Sequence, residues 1–184
     1  MRKLSFPILA LAALVAGCDD QFGPSDWVIV RDTVELYSLN RSDYQGLPAG
    51  FDFVTPRPVI IESINEARQW DVALTEGEGG LHFTPAGAFP NIDTRPAIAV
   101  LPDADFEELD KAPRDGDIYT STESVTLETD RVYVVRTRNL PIIGQRCVRY
   151  AKVRPIAVDT EAGILRFEFI RNPNCNDRAL VPPK

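Results

Sequence analysis

Few side chains in this sequence could do covalent or metal chemistry. It holds one histidine, His82, three cysteines, Cys18, Cys147 and Cys175, and one methionine, Met1. A histidine-based hydrolytic site would need His82 to meet both a Ser or Cys nucleophile and an orienting acid. No G-x-S-x-G elbow, phosphate loop, H-E-x-x-H or C-x-x-C pattern occurs. Asp103, Asp105 and Glu107 have the first spacings of a calcium loop, but Glu108 stands where that loop needs Gly and Arg114 where it needs Glu. Carboxylates are abundant, yet no two stand out as an acid–base pair. The chain therefore reads as a non-enzyme, with no metal site and no catalytic residue.

Composition narrows the partners. The 184 residues are 44% hydrophobic, too apolar for a disordered chain and of a length that suits one domain. A net charge of -7 excludes a general nucleic-acid binder, which needs a basic surface to displace counterions from phosphates. The charge is unevenly spread. Residues 19–130 carry a net of -16 and residues 131–184 a net of +7. Such a split predicts cross-strand compensation, with late arginines facing early acids. The sharper alternative is a basic patch of Arg136, Arg138, Arg146, Arg149, Lys152 and Arg154 that receives an anionic ligand.

The amino terminus is an address. Met1-Arg2-Lys3 precedes an apolar run from Leu4 to Val15, too short to span a bilayer and of the size of a signal-peptide core. It ends in Val15-Ala16-Gly17-Cys18, which resembles the bacterial lipobox. The resemblance implies cleavage before Cys18 and lipid on its sulfur and amino group, an anchor that holds the protein on a membrane. The expected organisation is a signal peptide over 1–17, a lipidated Cys18 and tether over 18–26, and a β-rich domain over 27–184. Asp19 leaves the choice between inner and outer membrane open.

With Cys18 assigned to lipid, Cys147 and Cys175 form a disulfide candidate outside the cytoplasm. Leu165, Phe167 and Phe169 alternate with Arg166 and Glu168, the period of a half-buried strand, and Val148 to Val158 reads as its partner. Centring that hairpin on Glu161 sets Arg154 opposite Glu168, Val153 opposite Phe169 and Cys147 opposite Cys175. Further strands are expected within 27–37, 58–62, 70–74, 81–83, 97–101, 123–129 and 131–136, with one short helix over Pro102–Leu109 and a single turn at Ser63–Glu66. The fold class is all-β, an antiparallel β-sandwich-like single domain. Trp70 reads as a core or inter-sheet anchor, and Asp71 as a local cap or pair.

Read in order, Phe51-Asp52-Phe53, Gln69-Trp70-Asp71-Val72-Ala73-Leu74, the 105–113 segment ending in Ala112-Pro113, Arg131-Val132-Tyr133-Val134-Val135-Arg136-Thr137 and Arg149-Tyr150-Ala151-Lys152 look familiar. Together with the closing apolar strand they resemble the HmuY family of bacterial surface lipoproteins, over most of residues 50–170. The resemblance implies a lipid-anchored β-protein of the cell envelope and, for the best-known members, capture of haem between two axial side chains, typically His. One His in the chain rules out a bis-His site within it, leaving His82 with a Tyr, or His82 paired across a dimer. The expected function is a non-enzymatic module binding a small apolar or anionic ligand at His82, Trp70, Tyr133 and Tyr150. The alternative is an envelope lipoprotein that docks onto a partner protein.

Overall fold

The computed structural model describes residues 26–142 and 145–183. The expected signal peptide, Cys18 and nearly all of the tether lie outside them. Thirteen strands run through the described residues. The first half carries β1 (Arg31–Tyr37), β2 (Gly50–Asp52), β3 (Arg57–Val59), β4 (Val72–Gly77), β5 (Gly80–Pro85) and β6 (Ala97–Leu101). The second carries β7 (Tyr119–Thr120), β8 (Val125–Thr126), β9 (Val132–Arg136), β10 (Leu140–Ile142), β11 (Gln145–Cys147), β12 (Tyr150–Asp159) and β13 (Ile164–Arg171).

These strands form a six-stranded sheet, β1-β13-β12-β9-β6-β7, a five-stranded sheet, β3-β2-β4-β5-β8, and the small β10-β11 hairpin. All pairings are antiparallel. The all-β, sandwich-like reading holds. Period-two alternation sends Leu165, Phe167 and Phe169 of β13 inward to meet Val72 and Leu74 of β4 and Leu81 and Phe83 of β5. Five phenylalanines pack edge-on at the centre, with Phe51 4.6 Å from Phe53, 5.2 Å from Phe169 and 5.4 Å from Phe167 between ring centres, and Phe83 5.6 Å from Phe167.

The outward faces are covered too. Ile170, Val132 and Val134 of the six-stranded sheet lie under Phe106, Ala112 and Leu180. The loop that carries Phe106 was expected to be a helix, and it forms turns instead. Asp105 Oδ1 takes the Glu107 and Glu108 amides, and Lys152 Nζ donates to the Phe106 and Leu109 carbonyls at 2.6 and 2.9 Å. A lysine rising from the sheet thus pins those carbonyls from below, and the segment lies flat as a lid on β9, β12 and β13. Among the described residues the helical content consists of two 3-10 turns, Ile64–Glu66 and Ala86–Ala88.

The β12–β13 register agrees with the expected one through Val153↔Phe169, Arg154↔Glu168 and Pro155↔Phe167. A bulge at Ile156 then shifts it by one residue, so that Val158 pairs with Leu165. Pro155 lacks an N–H, and the extra residue returns Val158 to the core side after Val153. The turn closes at Gly163, whose φ of 65° suits glycine. At the other end the ladder stops at Ala151↔Arg171, because Asn172 turns the chain and Pro173 has no donor. The Cys147–Cys175 disulfide forms beyond that stop, with Cα atoms 4.9 Å apart, and ties β11 to the segment after β13.

Replacing both Cys147 and Cys175 by Ala opens a loop with a sequence separation of 28. Chain entropy alone sets the expected loss at about 3–4 kcal/mol. Urea unfolding of this double variant against the oxidised parent measures it, with a lower midpoint and a larger m-value expected as the unfolded chain expands.

Candidate functional site

The most highly charged buried site joins the two sheets. Asp71, fully buried, lies just ahead of β4, and Asp52 ends β2. Asp71 Oδ2 accepts the Phe53 amide at 2.8 Å, and its Oδ1 accepts the Arg138 amide at 2.8 Å. Arg138, two residues past β9, brings its guanidinium to Asp52 at 2.9 Å and to Asp71 at 3.2 Å. Asp52 Oδ1 also takes the Val54 and Thr55 amides, which turns the chain away from β2. Two carboxylates facing one guanidinium leave a buried excess of negative charge. Burial accordingly pushes the Asp71 carboxyl up to about 6, against the opposing pull of Arg138 and its amide donors. The expectation that Asp71 pairs locally is corrected. Its cation sits 67 residues along the chain.

The turn that Asp52 makes presents the Val54 carbonyl to two further guanidinium groups. Arg149 and Arg171 each donate to it through Nη1 at 2.9 Å. Neither has a carboxylate within ion-pair distance among the described residues, and Arg149 Nε is buried without a partner. Burial and the neighbouring Arg149 charge hold the Arg171 pKa below its ordinary value. Arg171 also lines a partly enclosed cleft of about 280 Å³, whose other walls are Val28, Val30, Asp32, Pro56, Phe169 and Pro173. A shallower hollow shares Val28, Val30 and Pro173 with it and adds Asp26 and Trp27. A third, near Asn40, Arg41, Asp43, Glu76 and Glu161, is open and polar and lacks an apolar wall.

The four residues expected to bind ligand are not brought together. His82 stands on β5 between the inward Leu81 and Phe83, so its ring lies on the outer side of the five-stranded sheet, with Nε2 3.0 Å from the Glu78 carbonyl. Tyr133 is fully buried between the sheets, where its hydroxyl donates to Thr126 O at 2.7 Å and accepts the Glu128 amide at 2.9 Å. Tyr150 packs on the outer face of the six-stranded sheet with Ala99, Ala112, Val134 and Leu180. Trp70 is buried outside the five-stranded sheet against Val59, Ala73, Ala86 and, edge-on at 5.2 Å, Phe89. It anchors covering loops to a sheet; the aromatic core between the sheets is made by phenylalanines and Tyr133. Within one chain His82 and Tyr133 do not meet: His82 lies on the outer face of the five-stranded sheet, Tyr133 rises from β9 of the six-stranded sheet into the space between the two, and the cleft carries no axial ligand.

The alternative, a single basic patch, is not formed: its members are dispersed. Arg138 and Arg154 meet acids, Arg154 through Glu168 and Glu107. Lys152 and Arg149 bind backbone carbonyls, Arg136 lies over the Tyr119 ring, and Arg146 is exposed. Compensation across strands therefore accounts for Arg138 and Arg154. Arg171 escaped the sequence reading, since it ends an apolar strand and looks like a solvated terminus. The walls of its cleft come from three remote stretches, around 28–32, 56 and 169–173.

Removing the Arg138 guanidinium strands two buried carboxylates. Arg138→Met is expected to cost about 3–5 kcal/mol in chemical denaturation. Asp71 sets a separate pH test. Its folded pKa of about 6 exceeds the ordinary 3.8, so the folded state binds this proton more tightly. Its stabilising contribution is fully present below about pH 3.8 and is lost as pH rises through 6. A carboxyl-detected NMR titration checks this directly, with a midpoint near 6 expected for Asp71.

No protein-family model, no curated protein and no solved structure matches this chain.

Proposed function

We propose that this protein is a bacterial envelope lipoprotein of HmuY-like type, held on a membrane by lipidated Cys18. Its β-domain works as a non-enzymatic binding module for a small ligand. The observation that carries the reading is the cleft beside Phe169 and Arg171, which combines apolar walls with a fixed cation, the lining common to small-ligand sites. The ligand-binding role expected for His82, Trp70, Tyr133 and Tyr150 moves to this cleft. Haem is left out of the proposal, because within one chain His82 and Tyr133 are kept apart.

Three features support the anchored setting. The Val15-Ala16-Gly17-Cys18 sequence follows an apolar run of signal-peptide size. The disulfide suits an oxidising compartment. The cleft lies where the tether meets the domain, since Val28 and Val30 line it directly after residues 18–26. One further observation favours the second reading, docking onto an envelope protein. Val28, Ile29 and Val30 are 78%, 49% and 64% exposed, an apolar run available to a partner.

Mass spectrometry of the mature amino terminus tests the anchor. The expected product begins at Cys18 and carries diacylglycerol and an N-acyl chain; an unmodified Cys18, or a cut elsewhere, refutes it. A haem titration is expected to leave the Soret band of free haem unshifted. A shift that disappears in His82→Ala would return haem binding to this chain.

A further inference from the structure

Arg149 and Arg171 are an unusual pair for a folded domain. Two guanidinium groups converge on one carbonyl, Val54 O, each at 2.9 Å. A guanidinium has five N–H donors, and one shared carbonyl leaves most of them free. Asp52, the acid that acts on the Arg171 charge, already faces Arg138. Asp52 and Asp71 hold Arg138, and Asp52 Oδ1 also accepts the Val54 and Thr55 amides. Like charges placed side by side in a half-buried setting repel, and the Arg171 pKa is depressed by burial first and by that repulsion second. An anion delivered to this point would relieve the repulsion and use the free donors, with the fork geometry that suits a carboxylate.

The cleft limits what that anion can be attached to. Val28, Val30, Pro56, Phe169 and Pro173 give it apolar walls, and Arg171 gives it a cationic one. Its volume of about 280 Å³ lies near the small end of ligand pockets. Asp32 is the one acid among the lining residues, and its Oδ1 already accepts the Thr33 amide. A fixed negative charge in so small a space disfavours a dianionic head and admits a monoanion. We propose that the cleft binds a small monocarboxylate with an aliphatic body, its carboxylate on Arg171 and its chain along Val28, Val30 and Phe169, while Arg149, outside the lining but joined to Arg171 through Val54 O, adds positive charge behind it. This assignment rests on the cleft being the binding site proposed above.

Octanoate serves as the probe and 1-octanol as its uncharged match. Both are titrated into the full chain carrying Cys18→Ser, so that no attached acyl chain competes, with calorimetry as the readout. Octanoate is expected to bind at least tenfold more tightly than 1-octanol. Arg171→Met removes that preference, Arg149→Met weakens octanoate by a smaller factor, and Arg171→Lys, which keeps the charge, retains part of it. Val28→Asp alters an exposed residue, so folding is not at issue, and it is expected to weaken octanoate at least tenfold. Equal binding of octanoate and 1-octanol, with both lost in Val28→Asp, overturns the carboxylate assignment and leaves the cleft as a ligand site. Absence of binding by either probe overturns the assignment and the cleft together. Octanoate binding unaffected by Arg171→Met or by Val28→Asp also overturns it.

Discussion

The contact between Asp71 and Arg138 decides how the two sheets sit against each other. Hydrophobic packing between sheets is non-directional, and a phenylalanine core of this kind tolerates small sliding motions. The Asp71 carboxylate does not. It takes a backbone amide from each side, Phe53 after β2 and Arg138 after β9, and so fixes the separation and the lateral offset of two chain segments at once. The Arg138 guanidinium then completes a bridge back to Asp52. A buried ion pair of this type contributes little net stability relative to an apolar replacement, because desolvation offsets attraction. Its effect here is geometric. Thr137 extends the same joint by accepting the Arg149 amide and donating its hydroxyl to the Arg138 carbonyl. Arg149 is thereby placed beside Val54, and the paired guanidinium groups follow from the joint.

The same logic explains a buried lysine. Both faces of the six-stranded sheet are covered, so an outward position on β12 is no longer a solvent position. Lys152 keeps its charge there by donating to two carbonyls and lying 5.0 Å from the centre of the Phe106 ring. Arg31 and Arg154 approach the same ring, at 5.4 and 4.8 Å. Glu107 and Glu168 supply the opposing charge, Glu107 pairing with Arg31 and Glu168 with Arg154. Phe106 is thus a rivet through a ring of cations, holding the 102–112 loop over the sheet.

The strands were legible in the sequence because their signal is local. Alternation in β13 depends on eight adjacent residues, and its pairing with β12 depends on one turn, Asp159 to Gly163. Even there, Ile156 shows the limit: a bulge beside Pro155 shifts the far half of the ladder and cannot be read from alternation alone. The 102–109 segment carries the acids and spacing of a helix, and the fold overrides them, since its carbonyls are taken by Lys152 from another strand. The partner of Asp71 is hidden from the local sequence for the same reason. What a buried acid pairs with is a property of topology, and no feature within several residues of Asp71 points to position 138. The candidate ligand residues, chosen for aromatic or imidazole chemistry, fell on sheet faces that alternation separates.

Charge compensation leads from these particulars to the cleft. The acid-rich first part of the chain and the base-rich last part are interleaved by the topology, since β1 lies beside β13 and β6 beside β9. Where they meet, arginines find carboxylates, as Arg138 and Arg154 do. Arg149 and Arg171 lie on the neighbouring strand ends, and the one acid close enough to raise the Arg171 pKa, Asp52, is already bound to Arg138. Two cations therefore meet at the strand ends on a carbonyl that cannot neutralise them. A surface lysine in that position would swing into water. These guanidinium groups are held by Val54, and one of them forms the wall of an apolar cleft. A fold that gathers two acids on Arg138 and leaves Arg149 and Arg171 sharing one carbonyl has, at that carbonyl, the electrostatic form of a site for an anion from outside the chain.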